Sequence, residues 1–421
     1  MLDFPRGHRP RYRDFSLQAI SDETIREGGE RAIYGAADTD KIRLVEKLSQ
    51  AGIKDIDVGS GLHEAQFLRK LLLLQESADS ITDDTTFSFN LTLKTWEPLV
   101  EKLEQEVPRE LLKRIYVSIG MIEIDSERRL FERVAQRLRD IGVGKIRASL
   151  LNAFSTEIDE DDYGHLMAQI ERARAIGVSL IRINDSVGTL YPDSTAVLAA
   201  NLVHDNPDTT FYLHGHNDRG LGTANSLVSV LHGFQVIEGG VAGTGNRAGL
   251  AELESIARCL EENNISVSTG PVDVDGVIAA ARFSERVYLT VPTPYRAVSG
   301  FLVKNENAGI VNVPDYLGVS RPVDYFLNRI GLFPEYLRQI LVEGGISENS
   351  LSDAVLAQVY NRLQARFDTQ HTSKLAEYER LVAQIWDFHD DIVRLPDVVD
   401  IAKIVLQEQP LETSTMSEAR A

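Results

Sequence analysis

Strand-like and helix-like segments alternate from the start of the chain to about residue 263, and this alternation restricts the fold more than any other feature. The strand-like segments are "FSLQAISDE", "DIDVGS", "TFSFNLTL", "RIYVSIGM", "KIRASLLN", "LIRINDSV", "TFYLHGHN" and "QVIEGGVAG". Helical spacing of apolar residues, such as Ile42, Val45 and Leu48, recurs between nearly every pair. Eight βα units in about 250 residues have the size of a (β/α)8 TIM barrel, although an open doubly wound sheet produces a similar pattern. Polar clusters favour the barrel: "SDETIREGG" follows the first strand, "NDSVG" ends the sixth, "HGHND" ends the seventh and "GTGNRAG" follows the eighth. A barrel brings those strand ends to one face, whereas an open sheet separates the first from the eighth.

The expected fold is therefore α/β, with a TIM barrel over 15–263 after an N-terminal extension, 1–14. A connector over 264–320 is richer in Pro, Gly and Asn, and its Tyr288, Val291, Tyr295 and Phe301 read as side chains that need a surface to cover. A small helical region follows over 321–408. The polar tail 409–421 reads as disordered.

Composition narrows the partners. In 421 residues, 44 Lys and Arg stand against 63 Asp and Glu, a formal charge of −19, which disfavours nucleic acid or an anionic membrane surface as the main partner. No run approaches the roughly 20 apolar residues of a membrane span, and "MLDFPRGHRPRYRDF" lacks the apolar core of a signal peptide, so a cytoplasmic protein is expected. The single cysteine, Cys259, lies in an amphipathic helical pattern and reads as packing.

The densest chemistry is in "LHGHNDRGLGTAN", residues 213–225. On a strand, His214 and His216 face the same way with Gly215 between them, and two imidazoles so placed can share one metal ion. By itself a His-x-His pair is weak evidence. Asp22 and Asp185 are the carboxylates at strand ends able to complete a site. Asp22 is preferred because "DETIREG" also delivers Arg26 and Glu27 from the same turn. The plainer alternative is that Asp22, Arg26 and Glu27 cap a helix and pair with one another.

Taken in order and at these spacings, "DETIREG", "NDSVG", "HGHND" and "GTGNRAGLAELE" resemble the metal-dependent barrel family of isopropylmalate, homocitrate and citramalate synthases and hydroxymethylglutaryl-CoA lyase. The likeness covers about 15–262 closely and 263–320 loosely, and the REG form of the first motif is most similar to homocitrate synthases. The resemblance implies one divalent ion (Mg, Mn or Zn) held by Asp22, His214 and His216. It also implies a 2-oxo acid substrate, an acyl-CoA (acetyl-CoA for preference) as carbon donor, and a homodimer in which the connector reaches the neighbouring barrel. Arg26 and Glu27 take catalytic roles in this reading, with Arg26 stabilising the developing oxyanion. Asp57, Asp185, Ser186, Asn217, Asp218, Gly243, Gly245, Asn246 and Arg247 form the substrate-binding mouth, where Asn217 and Asp218 orient ligands or loop backbone.

The chain departs from that family in its substrate pocket. The fourth strand reads "SIGMIEIDSE" where the synthases carry Thr-Ser and a later His, and "ENAGI" replaces their His-x-Ser-Gly-Ile segment. Glu306 then stands where a proton-transferring His is usual, and Tyr316 in "VPDYLG" matches a homocitrate synthase tyrosine. The leading expectation is a Claisen-type condensation followed by thioester hydrolysis. A lyase or aldolase running the same enolate chemistry in reverse is the first alternative, although residues 239–249 lack the cysteine of hydroxymethylglutaryl-CoA lyase. A catalytically quiet metal-binding barrel is the second.

Overall fold

The computed structural model describes residues 16–93, 95–121, 129–150, 159–308, 323–330 and 332–408. The extension 1–14, the tail 409–421 and Tyr316 lie outside the described residues. Residues 1–303 and 304–421 form two compact units.

The first unit is the expected TIM barrel. Its strands are β1 (Ala19–Asp22), β2 (Asp55–Asp57), β3 (Thr86–Thr92), β4 (Tyr116–Met121), β5 (Lys145–Leu150), β6 (Leu180–Asp185), β7 (Thr210–Gly215) and β8 (Val236–Gly239). Parallel ladders join them in the order β7-β6-β5-β4-β3-β2-β1-β8. The circle closes where Gln235 N donates to Phe211 O at 3.1 Å and the side-chain Oε1 of Gln235 accepts from Phe211 N at 3.1 Å. The Phe211 and Phe234 rings stack at the same seam, 5.6 Å apart.

Strand alternation divides the barrel into an apolar outside and a polar inside. Ile20, Ile56, Phe87, Phe89, Val117, Ile119, Ile181, Ile183, Phe211, Leu213 and Ile237 are buried in one continuous core with apolar residues of the surrounding helices. The intervening residues meet around the axis. Arg147 on β5 reaches Asp55 on β2 at 2.7 Å and lies 4.2 Å over the Tyr116 ring. One layer up, Arg182 on β6 donates to Asn90 Oδ1 on β3 at 2.8 Å and to Ser149 Oγ at 2.9 Å. TIM barrels usually fill this space with layers of branched apolar side chains, so a barrel with charge at two levels is a departure from the rule.

The first part of the connector belongs to the barrel unit. Helix Val274–Val287 packs against helix Asp38–Gln50, with Val274, Val277, Ala280 and Ala281 buried. Of the four connector side chains expected to need cover, only Tyr288 is buried; Val291, Tyr295 and Phe301 are exposed. In the second unit, the short strands Asn305–Asn307 and Asp324–Phe326 pair in parallel. Helices Pro334–Glu343, Asp353–Phe388 and Leu395–Glu408 supply the expected helical region, with a small core of Leu332, Leu337, Leu351 and Leu356.

Replacing Asp55 by Asn is expected to destabilise the barrel by about 3–5 kcal/mol, because it leaves the Arg147 guanidinium buried without its anion. The paired variant Asp55→Leu, Arg147→Met should recover most of that loss, as read from urea unfolding midpoints.

Candidate metal centre

The seventh strand delivers both histidines to the C-terminal end of the barrel. His214 lies within β7, and His216 follows it in an isolated bridge with Leu250, so extended backbone aims the two rings the same way. Their Nε2 atoms are 3.3 Å apart, and both residues are buried. Glu27 completes the group: its Oε1 lies 3.5 Å from His214 Nε2 and 4.0 Å from His216 Nε2. Donors about 2.0–2.2 Å from one ion stand roughly 3–3.5 Å from each other, so these three atoms have the spacing of a shared ligand set.

The orientation of the His214 ring fits a cation at this point. His214 Nδ1 meets Glu238 Oε1 at 2.6 Å, which places the proton on Nδ1 and turns the Nε2 lone pair toward His216 and Glu27. Facing lone pairs at this distance repel unless a proton or a metal ion lies between them. Burial works against charge on His214, yet Glu238 and Glu27 hold its pKa up at about 9, while burial and the charge on His214 push His216 down to about 4.

Asp22, the carboxylate preferred from sequence, is not in this donor group. It ends β1 with both oxygens turned to Thr24, one accepting from the backbone N at 3.0 Å and the other from the hydroxyl. Burial lifts its pKa to about 7. The reason is local. After the strand, helix Thr24–Arg31 begins at once, and one helical turn brings Glu27 back over the barrel axis while Asp22 stays at the hinge. Helical periodicity also places Glu23, Arg26, Glu27 and Glu30 on one face.

That face carries a dense ion network. Arg26 donates through Nε to Glu23, through Nη2 to Glu27 at 2.8 Å and through Nη1 to Glu30 at 3.1 Å. Burial opposes ionisation of Glu27, yet Arg26 and His214 hold its carboxyl well below the usual range. Glu23 also accepts from Arg182, whose Nη1 stands 3.4 Å from Glu238. Burial opposes charge on Glu23 as well, but Arg26 and Arg182 hold it near 2.

Several other sequence-selected residues at the strand ends have defined local partners. Asp185 accepts from Thr189 N at 2.7 Å and Leu190 N at 3.0 Å, and so fixes the turn after β6. Asp57 accepts from Gly59 N at 3.2 Å and from Asn90, and burial together with the charge of Glu23 pushes its pKa up. Arg247 grips Asp218 with two bonds, 2.8 and 3.0 Å, and reaches the Ser186 carbonyl at 2.6 Å. Asn217 Oδ1 accepts from Gly222 N at 3.0 Å.

The glycine-rich loop is held from two sides: Glu27 Oε2 accepts from Asn246 N at 2.8 Å, and Glu254 accepts from Ala242 N at 2.9 Å. Gly243 and Gly249 have positive φ, and a Cβ on Gly249 would lie 1.8 Å from the Gly243 carbonyl oxygen. Gly245 packs its Cα side against Leu250 and Gly249. Glu306 lies on the short strand Asn305–Asn307 of the second unit. Sequence reasoning missed Glu23, Asn90, Arg182 and Glu238. Their signal was a polar residue at an inward position of a strand, or, for Glu23, at the helix start.

Residues 114–283 match the HMGL-like family model. The chain is 26% identical over 249 residues to the homocitrate synthase of Sulfurisphaera tokodaii, covering 58% of this chain and 52% of that protein. It is 24% identical over 302 residues to the 2-isopropylmalate synthase of Syntrophus aciditrophicus, covering 69% of this chain and 57% of that one. The chain thus spans little more than half the length of these curated relatives. In fold it is similar to the hydroxymethylglutaryl-CoA lyase of Pseudomonas aeruginosa, with a TM-score of 0.54, 21% identity, and coverage of 69% of this chain and 99% of that one.

His214→Ala, His216→Ala and Glu27→Gln should each lose most bound divalent metal while circular dichroism stays that of a folded barrel, and Asp22→Asn should keep it. Elemental analysis after dialysis checks this. A pH effect follows from Glu254, whose burial raises its pKa from 4.5 to about 7 against the bonds from Ser299 and Ala242. Its contribution to stability is full below about pH 4.5 and is lost as pH rises through about 7, so Glu254→Gln should flatten the stability profile over that window.

Proposed function

We propose, from the HMGL-like domain at residues 114–283, that the protein is a metal-dependent acyltransferase that joins an acyl-CoA to a 2-oxo acid. The acyl α-carbon adds to the keto carbon, and water then cleaves the thioester, giving a 2-hydroxy dicarboxylic acid and free CoA. The observation that carries this reading is the convergence of Glu27, His214 and His216 at the barrel mouth with Arg26 bonded to Glu27. A divalent ion held by those three side chains would supply a Lewis acid for the keto group.

The protein's own groups have distinct tasks. Glu238 holds the His214 ring in one tautomer, and Glu27 carries the ligand oxygen on Oε1 while Oε2 ties down the loop at Asn246. Arg26 directs three N–H groups to Glu23, Glu27 and Glu30, which leaves two of its five for an oxygen that gains charge during the addition. Asp57, Asp185, Ser186, Asn217, Asp218, Gly243, Gly245, Asn246 and Arg247 are assigned to shaping the substrate mouth. Proton removal from the acyl carbon is assigned, on sequence position, to Glu306 and Tyr316. The active species is assigned as a homodimer. The synthase names of the sequence relatives support condensation over the cleavage direction.

A thiol-release assay with acetyl-CoA and a panel of 2-oxo acids tests the reading. CoA release is expected only with both substrates present, and Arg26→Lys should lower turnover by at least about 10²-fold, since an ammonium cannot reproduce the guanidinium fork. Cleavage of a hydroxy acid without CoA release in the forward assay would overturn it in favour of a lyase.

A further inference from the structure

Two residues in the left-handed region of backbone space stand on either side of one buried carboxylate. Ala242, at the start of the glycine-rich loop, has φ +57°, and Val298, in the connector, has φ +64°. A β-branched residue rarely adopts that conformation, so its surroundings must impose it. Around Val298 the restraints are explicit. Ser299 N donates to Ala297 O at 2.7 Å, closing a γ-turn of the strained kind, and Arg282 Nε donates to the Ser299 carbonyl at 3.0 Å. The turn sets the Ser299 hydroxyl against Glu254, donating to Oε1 at 2.8 Å, while Oε2 accepts from Ala242 N at 2.9 Å.

Glu254 stands in the first turn of helix Leu253–Glu262, where an acid is ordinarily favoured at the surface by the positive end of the helix. Here it is fully buried, and both of its oxygens serve groups outside the helix. The loop that it holds bears on two of the three donor residues. Gly243 O, next to Ala242, accepts from Leu250 N at 3.2 Å, and Leu250 is the bridge partner of His216. Further along the same loop, Asn246 N donates to Glu27 Oε2 at 2.8 Å. A displacement of Ala242 therefore reaches His216 through the Gly243–Leu250 bond and Glu27 through the loop backbone.

We propose that Ser299 is a positioning residue of the metal centre: by fixing Glu254 it holds the start of the glycine-rich loop in place, and the connector thereby braces His216 and Glu27 of its own chain. This rests on the reading of Glu27, His214 and His216 as one ligand set. Ser299 acts through Glu254 and the loop rather than by contact with the ion. The strained turn at Val298 is the cost of aiming one hydroxyl at one buried carboxylate.

Titration of the full chain with Mn²⁺, followed by the electron paramagnetic resonance signal of the free ion, tests the assignment by binding and independently of turnover. Ser299→Ala should weaken Mn²⁺ binding by about tenfold, the lower end of what loss of an outer hydrogen-bond partner costs a metal site. Amide exchange over residues 241–247 of the metal-free protein should quicken in the same variant. Ser299→Cys, which keeps a side chain of similar shape but is a weak donor, should follow Ser299→Ala in both readouts, and it carries the test if the alanine variant does not fold. A purely structural role for the hydroxyl would lower the melting temperature and leave the Mn²⁺ dissociation constant alone. An unchanged dissociation constant in a folded variant therefore overturns the role of Ser299 while the metal-centre reading stands. Failure of the unaltered protein to bind Mn²⁺ overturns the metal-centre reading itself, and this inference with it.

Discussion

A guanidinium in the middle of a barrel must be answered by charge, because arginine cannot shed its proton and its five N–H donors have no water to turn to. Arg182 imposes that condition here. The answer comes from three walls of the barrel: Glu23 after β1, Asn90 on β3 and Glu238 on β8, with Ser149 from the adjoining β5. Two of those contacts have a consequence at the mouth. Glu23 fixes the start of the helix that carries Arg26 and Glu27, and Glu238 fixes the ring of His214. The geometry of the donor cluster is therefore set from beneath, by a charge that touches none of the three donor atoms.

The barrel was legible in the sequence because its evidence is repeated. Eight alternations of period two with helical spacing reinforce one another, and polar clusters at strand ends mark which end is the mouth. The interior was less legible. "LIRIND", "FSFNLT" and "QVIEGG" mix polar with apolar residues, and a strand buried on both faces reads almost the same whether a given polar residue points to the axis or to a helix. Only the closure of the barrel brings Arg182, Asn90 and Glu238 together from positions far apart in the chain.

The choice between Asp22 and Glu27 turned on where a strand stops and a helix begins. Both carboxylates lie in "DETIREG", five residues apart, and strand-end reasoning favours the one nearest the strand. The structure gives Asp22 a local task, holding Thr24, whose hydroxyl in turn accepts from Val241 N at 2.9 Å and anchors the start of the glycine-rich loop. Glu27 inherits the mouth because the helix starts within two residues of the strand end and a single turn carries it inward. Such competition between a local hydrogen bond and a long-range cluster cannot be decided from spacing alone.

The claim on which the rest depends is that Glu27, His214 and His216 converge on one divalent ion. Crystals grown with Mn²⁺ and measured near its absorption edge test it most directly. The account expects one strong anomalous peak about 2.0–2.3 Å from His214 Nε2, His216 Nε2 and a Glu27 carboxylate oxygen. A peak coordinated by Asp22 without Glu27, or no peak between the two imidazoles at saturating Mn²⁺, would contradict it.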